Sequence, residues 1–264
     1  MAEIEFEKIH GQIQEFIAQE AVGVYALNDT EYKLPFSDAV FCATDAPRNR
    51  AFFRAIAEQI AVLKKHQADL HVIYAGSGTG ILGFFALSLG ATSALFLEHN
   101  PHSLEFSRKL AQHLKLEAQI EFQEGDATKF VPDRPYDLLL SETLTSGFGR
   151  EEFPLIINHL RKFGAPESVI IPERFIVTLR EKDAAENTLA EQEFSFISAQ
   201  GFAPQQIKLQ NSRTEKVSWH TTCFLSENVV LHSGDCVSFL NEMTQEVAEF
   251  LHPLFTLEKV ESIP

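Results

Sequence analysis

Residues Val72-Ile73-Tyr74-Ala75-Gly76-Ser77-Gly78-Thr79-Gly80-Ile81-Leu82 constrain the fold more than any other stretch of the chain. A short apolar run reads as a buried strand, and three glycines at alternate positions predict a tight turn. Gly83-Phe84-Phe85-Ala86-Leu87-Ser88-Leu89 then continues as an apolar helix. Gly76, Gly78 and Gly80 would let backbone come close to a ligand with no Cβ in the way, with Ser77 and Thr79 between them. The helix N-terminus would offer unsatisfied N–H donors to polar ligand groups. The same pattern also serves as a βα turn without a ligand, so the neighbouring strand ends carry the decision.

Those strand ends follow in order. Residues 91–98 form a second apolar strand, 103–116 a polar-faced helix, and 119–123 a third strand ending at Glu124-Gly125-Asp126; residues 136–140 form a fourth. Strands alternating with helices predict βαβ units and an α/β fold with a doubly wound, mostly parallel Rossmann-like sheet. Ligands on such sheets sit outside the carboxyl ends of the strands, where the glycine loop, Glu98 and Asp126 all fall. Upstream, Ile4, Ile9, Ile13, Phe16 and Ile17 give residues 4–20 an amphipathic helical pattern, and residues 25–41 read as irregular structure. Thr44 or Asp45 caps a further helix with Pro47 in its first turn. From Ser168 onward, residues 169–172 and 175–179 are strand-like, followed by a mixed, partly helical-looking stretch. Residues 217–225, 228–231 and 237–240 are again strand-like, and 241–251 read as a late helix. The resulting division is a helix and cover segment at 1–40, a ligand-binding domain at 41–172 and a small β-rich lobe at 173–264.

Composition sets the class of partner. With 45% hydrophobic and 22% charged residues, the chain can bury a substantial core as an ordinary globular protein. A formal net charge of −15 argues against a nucleic-acid partner and suits a cationic substrate, although acidity also serves solubility alone. The apolar stretches fall short of a bilayer span and residues 1–7 are acidic where a signal peptide is basic, so no membrane role is expected and the location read is cytoplasmic. Cys42, Cys223 and Cys236 are far apart without metal-ligand spacing, so they read as reduced structural thiols and no metal site is expected.

Glu98 stands at the end of the second strand, where a carboxylate can accept hydrogen bonds from both hydroxyls of a ribose. A nicotinamide dinucleotide is disfavoured, because a GxGxxG or GxGxxA pattern begun at Gly76 meets Ile81 at its last position. Gly76-x-Gly78-x-Gly80 instead resembles the first motif of class I methyltransferases that use S-adenosylmethionine. The resemblance implies a cofactor site built from Gly76, Ser77, Gly78, Thr79, Gly80 and His99, with Glu98 at the ribose and Asp126 and Ala127 beside the adenine.

Further motifs resemble the protein arginine methyltransferases. Asp45-Ala46-Pro47-Arg48-Asn49-Arg50-Ala51-Phe52 is similar to the segment in which that family's arginine, here Arg48, grips the cofactor's carboxylate, a task suited to a planar guanidinium. Ser141-Glu142-Thr143-Leu144-Thr145-Ser146-Gly147-Phe148-Gly149-Arg150-Glu151 resembles the double-glutamate loop, with Glu142 and Glu151 as the catalytic pair and Glu152 the alternative second member. A guanidinium is protonated at physiological pH and poorly nucleophilic, so two carboxylates must hold it and aim one nitrogen at the methyl group. Val217-Ser218-Trp219-His220, followed by Ser233-Gly234-Asp235, resembles the family's Thr-His-Trp loop and later Gly-Asp turn, implying Trp219 in the substrate pocket; a plain core aromatic is the other reading.

The chain also departs from the family. Tyr74 stands where an aspartate usually precedes the glycines, and Thr143-Leu144-Thr145 replaces a Met-Gly pair. The interval from Glu181 to Trp219 is far shorter than a full barrel plus dimerisation arm, which implies a homodimer, if any, without that arm. The resemblance implies an S-adenosylmethionine-dependent N-methyltransferase acting on a guanidino nitrogen of a cationic small molecule, peptide or protein. Two alternatives stay open: another N, O or C nucleophile on the same scaffold, or a catalytically silent cofactor-binding protein.

Overall fold

A computed structural model describes residues 2–21, 29, 32, 34–149, 151–252 and 254–258. Helix α1 (Ala2–Glu20) buries Phe6, Ile9, Ile13, Phe16 and Ile17, while Ile4 points to solvent. Residues 25–28, 30, 31 and 33 of the expected irregular segment lie outside the described residues, and its last part is helix α2 (Phe36–Thr44). Asp45 caps α3 (Ala46–Leu63) by accepting from the Arg48 N–H at 3.4 Å. Its second carboxylate oxygen accepts from the Val237 and Ser238 N–H groups at 3.0 and 2.8 Å, tying the start of α3 to the far end of the chain.

Next come β1 (His71–Ala75), α4 (Ile81–Ser88), β2 (Ser93–Glu98), α5 (Pro101–Leu114), β3 (Ile120–Glu124), β4 (Tyr136–Ser141), α6 (Phe153–Leu160) and β5 (Gly164–Ile171). Among the described residues these strands form one parallel sheet in the order β3-β2-β1-β4-β5. Continuous burial of β1 and near-continuous burial of β2 fit strands covered on both faces. Phe53 meets Phe6 and Phe85 edge to face and joins α1, α3 and α4, and Phe16, Phe36 and Phe106 join α1, α2 and α5. Residues 169–171, the last strand-like stretch of the 41–172 division, complete this sheet as the end of β5.

The second lobe is antiparallel: β6 (Arg174–Lys182), β7 (Thr188–Ile197), β9 (Lys216–Phe224) and β10 (Val230–His232) pair in the order β10-β9-β6-β7. Strand β11 (Met243–Glu246) adds to β9, and β8 (Gln205–Lys208) pairs with β12 (Phe255–Glu258) in parallel. Three sequence expectations change here. The partly helical-looking stretch contains β7 and β8; residues 237–240 form no strand; and the late helix is replaced by β11 and a short 3₁₀ turn, because pairing with β9 overrides the helix-forming side chains.

Candidate functional site

In sheet order the chain turns one way from β1 to β2 and β3 and the other way to β4 and β5, so the β1 and β4 loops flank a topological switch point. Gly76, Gly78 and Gly80 adopt φ of +67°, +53° and +87°, the left-handed region open to glycine. A Cβ on Gly76 would lie 2.2 Å from Thr143 Cγ2, and one on Gly80 would lie 2.6 Å from the Phe96 ring. These glycines therefore allow the β4 loop and the core to close on the turn. The N–H groups are also engaged: Gly76 and Ser77 donate to Leu97 O at 2.9 and 3.1 Å, and Gly80 donates to Ser77 O at 2.7 Å. Gly78 donates to Glu98 Oε2 at 2.6 Å. These four residues of the turn therefore have no free N–H to offer, and a phosphate-binding nest would need them free.

Glu98 is the hub of the site. Besides Gly78, its carboxylate accepts from the His99 and Asn100 N–H groups, both at 2.8 Å. Burial pushes its pKa up against those three donors. Asn100 caps α5 through its side-chain oxygen, and its amide donates to Asp29 Oδ2 at 2.8 Å and Leu34 O at 3.2 Å. Asp29 also accepts from the Phe36 N–H, and Tyr32 stands edge-on to His99 at 5.7 Å. Part of the N-terminal segment is thus drawn over the ends of β1 and β2.

A cavity of about 280 Å³ opens there. Of the residues expected from sequence, Gly76, Glu98, His99, Asp126, Ala127 and Glu151 line it; Glu152 does so too. Leu97 and Gly125 lie in the wall beside Glu98 and Asp126, while Tyr32, Leu34, Asn100, Thr143 and Ile156 complete it and escaped the sequence reading. Only Asn100 left a signal, as the helix-capping Asn before Pro101 that follows Glu98 directly. Asp126 accepts from Thr128 and from Lys129 Nζ at 2.7 Å, and the Lys129 contact first, then Thr128, holds its carboxyl well below the usual range.

Behind this wall lie Arg48 and Glu142, which form a buried ion pair. Arg48 Nη1 also donates to Asn49 Oδ1 at 2.5 Å and Cys42 O at 3.4 Å. The carboxylate that Arg48 holds directly is therefore that of Glu142. Burial drives the Glu142 pKa upward against the attraction of Arg48. Burial, followed by repulsion from Glu142, raises Glu151 to about 8. Tyr74 is buried beside the same pair, and burial pushes its hydroxyl pKa up as well. Arg48 Nε and Ser77 Oγ are buried with no hydrogen-bond partner, orphans of the kind a polar ligand group satisfies.

Trp219 sits elsewhere. It is completely buried, stacks on Phe255 at 4.9 Å and does not border the cavity, so its expected place in the pocket is corrected to the core of the second lobe. Gly147 is packed so tightly on the indole that a Cβ there would lie 2.6 Å from it. The loop between the two glutamates is therefore supported by Trp219 from behind. Arg150 in that loop lies outside the described residues.

The five-stranded sheet and its cavity define a Rossmann-like α/β domain with a cavity at the switch point, walled in part by the carboxylate at the end of β2. The chain belongs to the family described as "Methyltransferase domain", whose profile matches residues 66–217, more than half of its length. It is similar to Protein arginine N-methyltransferase 7 of Drosophila melanogaster, with 36% identity over 73 residues, 27% of this chain and 11% of that protein. The Drosophila simulans protein of the same name matches at 36% over 73 residues, 27% of this chain and 10% of the relative. The matched stretch thus spans about a tenth of these relatives' length. Among solved structures, the Trypanosoma brucei PRMT1 enzyme-prozyme heterotetrameric complex with AdoHcy shares the fold. Its TM-score is 0.56 at 14% identity, over 76% of this chain and 81% of that one. Among the described residues no helix is long and apolar enough to cross a membrane.

Proposed function

We propose that the protein is an S-adenosylmethionine-dependent N-methyltransferase acting on a guanidino nitrogen of a cationic small molecule, peptide or protein. The observation that carries this reading is the convergence of Glu98, Glu151 and the Arg48–Glu142 pair on one end of the parallel sheet. When bound, the cofactor supplies an electrophilic methyl group on a sulfonium centre. Glu98 would accept the ribose hydroxyls, Asp126 and Ala127 would border the adenine, and Ser77 Oγ and Arg48 Nε are the polar atoms left for its remaining groups. The engaged glycine N–H groups fit a ligand without phosphates.

At neutral pH the raised pKa of Glu151 keeps much of it protonated before substrate arrives. An incoming guanidinium favours the ionised form, so binding displaces that proton and leaves Glu151 and Glu142 facing the cation. The two carboxylates then hold the acceptor in line and stabilise its charge, and the surplus proton of the methylated nitrogen leaves to water by way of a carboxylate. Division into a cover segment at 1–40, a cofactor domain at 41–172 and a substrate lobe at 173–264, assembly as a homodimer without a dimerisation arm, and a cytoplasmic location belong to the same proposal.

A second reading is favoured by the Arg48 contact. With Glu142 paired to Arg48, Glu151 at about 8 suits a proton acceptor for a different N or O nucleophile. Methyl transfer from labelled cofactor to candidate acceptors, with product mass spectrometry, separates the readings. Guanidino products lost in Glu142→Gln support the first, whereas full activity of Glu142→Gln refutes it.

A further inference from the structure

The loop between Glu142 and Glu151 holds two successive left-handed residues, Gly147 at φ +67° and Phe148 at +63°. A phenylalanine rarely adopts this conformation, so it persists only where its surroundings over-determine it. Phe148 is buried, with its ring 5.0 Å from Phe175 and 5.2 Å from Phe202. Ser146 Oγ bonds Trp219 O at 2.9 Å and Thr221 Oγ1 at 3.0 Å, and the Gly147 N–H donates to Thr221 Oγ1 at 2.8 Å. These contacts fix one side of the turn from β9.

The other side is held by His252, from the stretch between β11 and β12. Its Nδ1 accepts from the Leu254 and Phe255 N–H groups at 3.0 and 3.2 Å, so that nitrogen is unprotonated. The proton is therefore on Nε2, which donates to Gly147 O at 2.6 Å. The imidazole also packs on Trp219 at 5.2 Å and lies parallel to Phe250 at 5.9 Å. One ring thus reads the C-terminal stretch with one nitrogen and the glutamate loop with the other. The bonded carbonyl belongs to the peptide unit joining the two left-handed residues.

We infer that His252 is a positioning residue, which fixes the Gly147–Phe148 peptide and through it the placement of Glu151 relative to Glu142. This role rests on the double-glutamate reading for its consequence in catalysis, but the clasp itself can be tested without turnover. His252→Asn places an amide oxygen near the Nδ1 position and has nothing to reach Gly147 O. His252→Gln extends an amide N–H toward that carbonyl.

The test is amide hydrogen exchange on the full chain, with S-adenosylhomocysteine affinity in parallel. In His252→Asn, exchange across residues 145–151 should rise at least tenfold, while residues 249–258 and the parallel sheet stay within threefold of wild type. S-adenosylhomocysteine affinity should also stay within threefold. His252→Gln should return the loop to within threefold of wild type. With an acceptor that the wild type turns over, His252→Asn should lower kcat at least tenfold at unchanged KM for S-adenosylmethionine, and His252→Gln should restore it. Unchanged loop exchange in His252→Asn, equal loosening of 249–258, or no rescue by His252→Gln would each overturn the inference. Absence of cofactor binding and turnover in the wild type would instead sink the proposed function and leave the exchange result to judge the clasp.

Discussion

Arg48→Met removes the cation from a buried pair and strands Glu142, whose side chain is 10% exposed against 1% for Arg48. Breaking one side of such a pair costs about 3–5 kcal/mol, because the remaining charge has neither water nor partner. The stranded carboxyl avoids that cost by taking a proton, so the penalty depends on pH. Glu142 titrates above the ordinary glutamate value of 4.5 even with Arg48 present, through burial. Without Arg48 its folded pKa rises further, whereas in the unfolded chain it stays ordinary. Folding then takes up a proton between the two values, and stability is lost as pH climbs through that window. The loss in Arg48→Met should reach about 3–5 kcal/mol at pH 8, a fall in Tm of roughly 6–20 °C for a chain of this size. Measured against wild type, it should shrink by about 1.4 kcal/mol for each pH unit removed between the folded-state Glu142 values of variant and wild type. Thermal and urea unfolding of wild type and variant at pH 5, 6.5 and 8 measure this directly. A loss below about 1 kcal/mol at pH 8, or one independent of pH, would refute the view of the pair as buried and mutually neutralising.

Three further outcomes follow from the site. Glu98→Gln removes a charged acceptor, and S-adenosylhomocysteine affinity should fall roughly 10- to 150-fold, from about 1.5–3 kcal/mol per lost charged hydrogen bond; unchanged affinity in calorimetry would remove Glu98 from the cofactor site. Because Glu151 must ionise to face a guanidinium and titrates near 8, kcat/KM for the acceptor should climb with pH and level off above about 8. A profile flat from pH 6 to 9 would contradict that assignment. Gly147→Ala forces a Cβ to 2.6 Å from the indole at a left-handed position, so a cost of roughly 2–5 kcal/mol and altered emission from the single tryptophan, Trp219, are expected. Wild-type stability in that variant would show that the loop is not packed on Trp219.

The parallel sheet was legible because its signals are local and strong. Glycines at alternate positions follow an apolar strand, Glu98 ends the next strand, and Asp126 follows the third. The second lobe was harder to read. Strand β7 carries Leu189, Ala190, Glu191, Gln192 and Glu193, good helix formers, and becomes a strand through its antiparallel register with β6, a contact between distant residues. Strand β11 is likewise decided by its pairing with β9. In the site, residue types at strand ends could be read, but their partners could not. The Arg48–Glu142 pair, the Asp29–Asn100 bond over the cavity and the His252–Gly147 clasp each join segments far apart in the chain. Trp219 was ambiguous for the same reason, since only the packing of Phe255 and Gly147 around it separates a core aromatic from a pocket wall.

The most direct measurement is isothermal titration of the wild-type chain with S-adenosylhomocysteine, paired with titration by a nicotinamide dinucleotide. The account predicts saturable one-site binding of S-adenosylhomocysteine, weakened by Glu98→Gln, and no heat from the dinucleotide. No binding of S-adenosylhomocysteine to folded wild-type protein, or preferential binding of the dinucleotide, would contradict it.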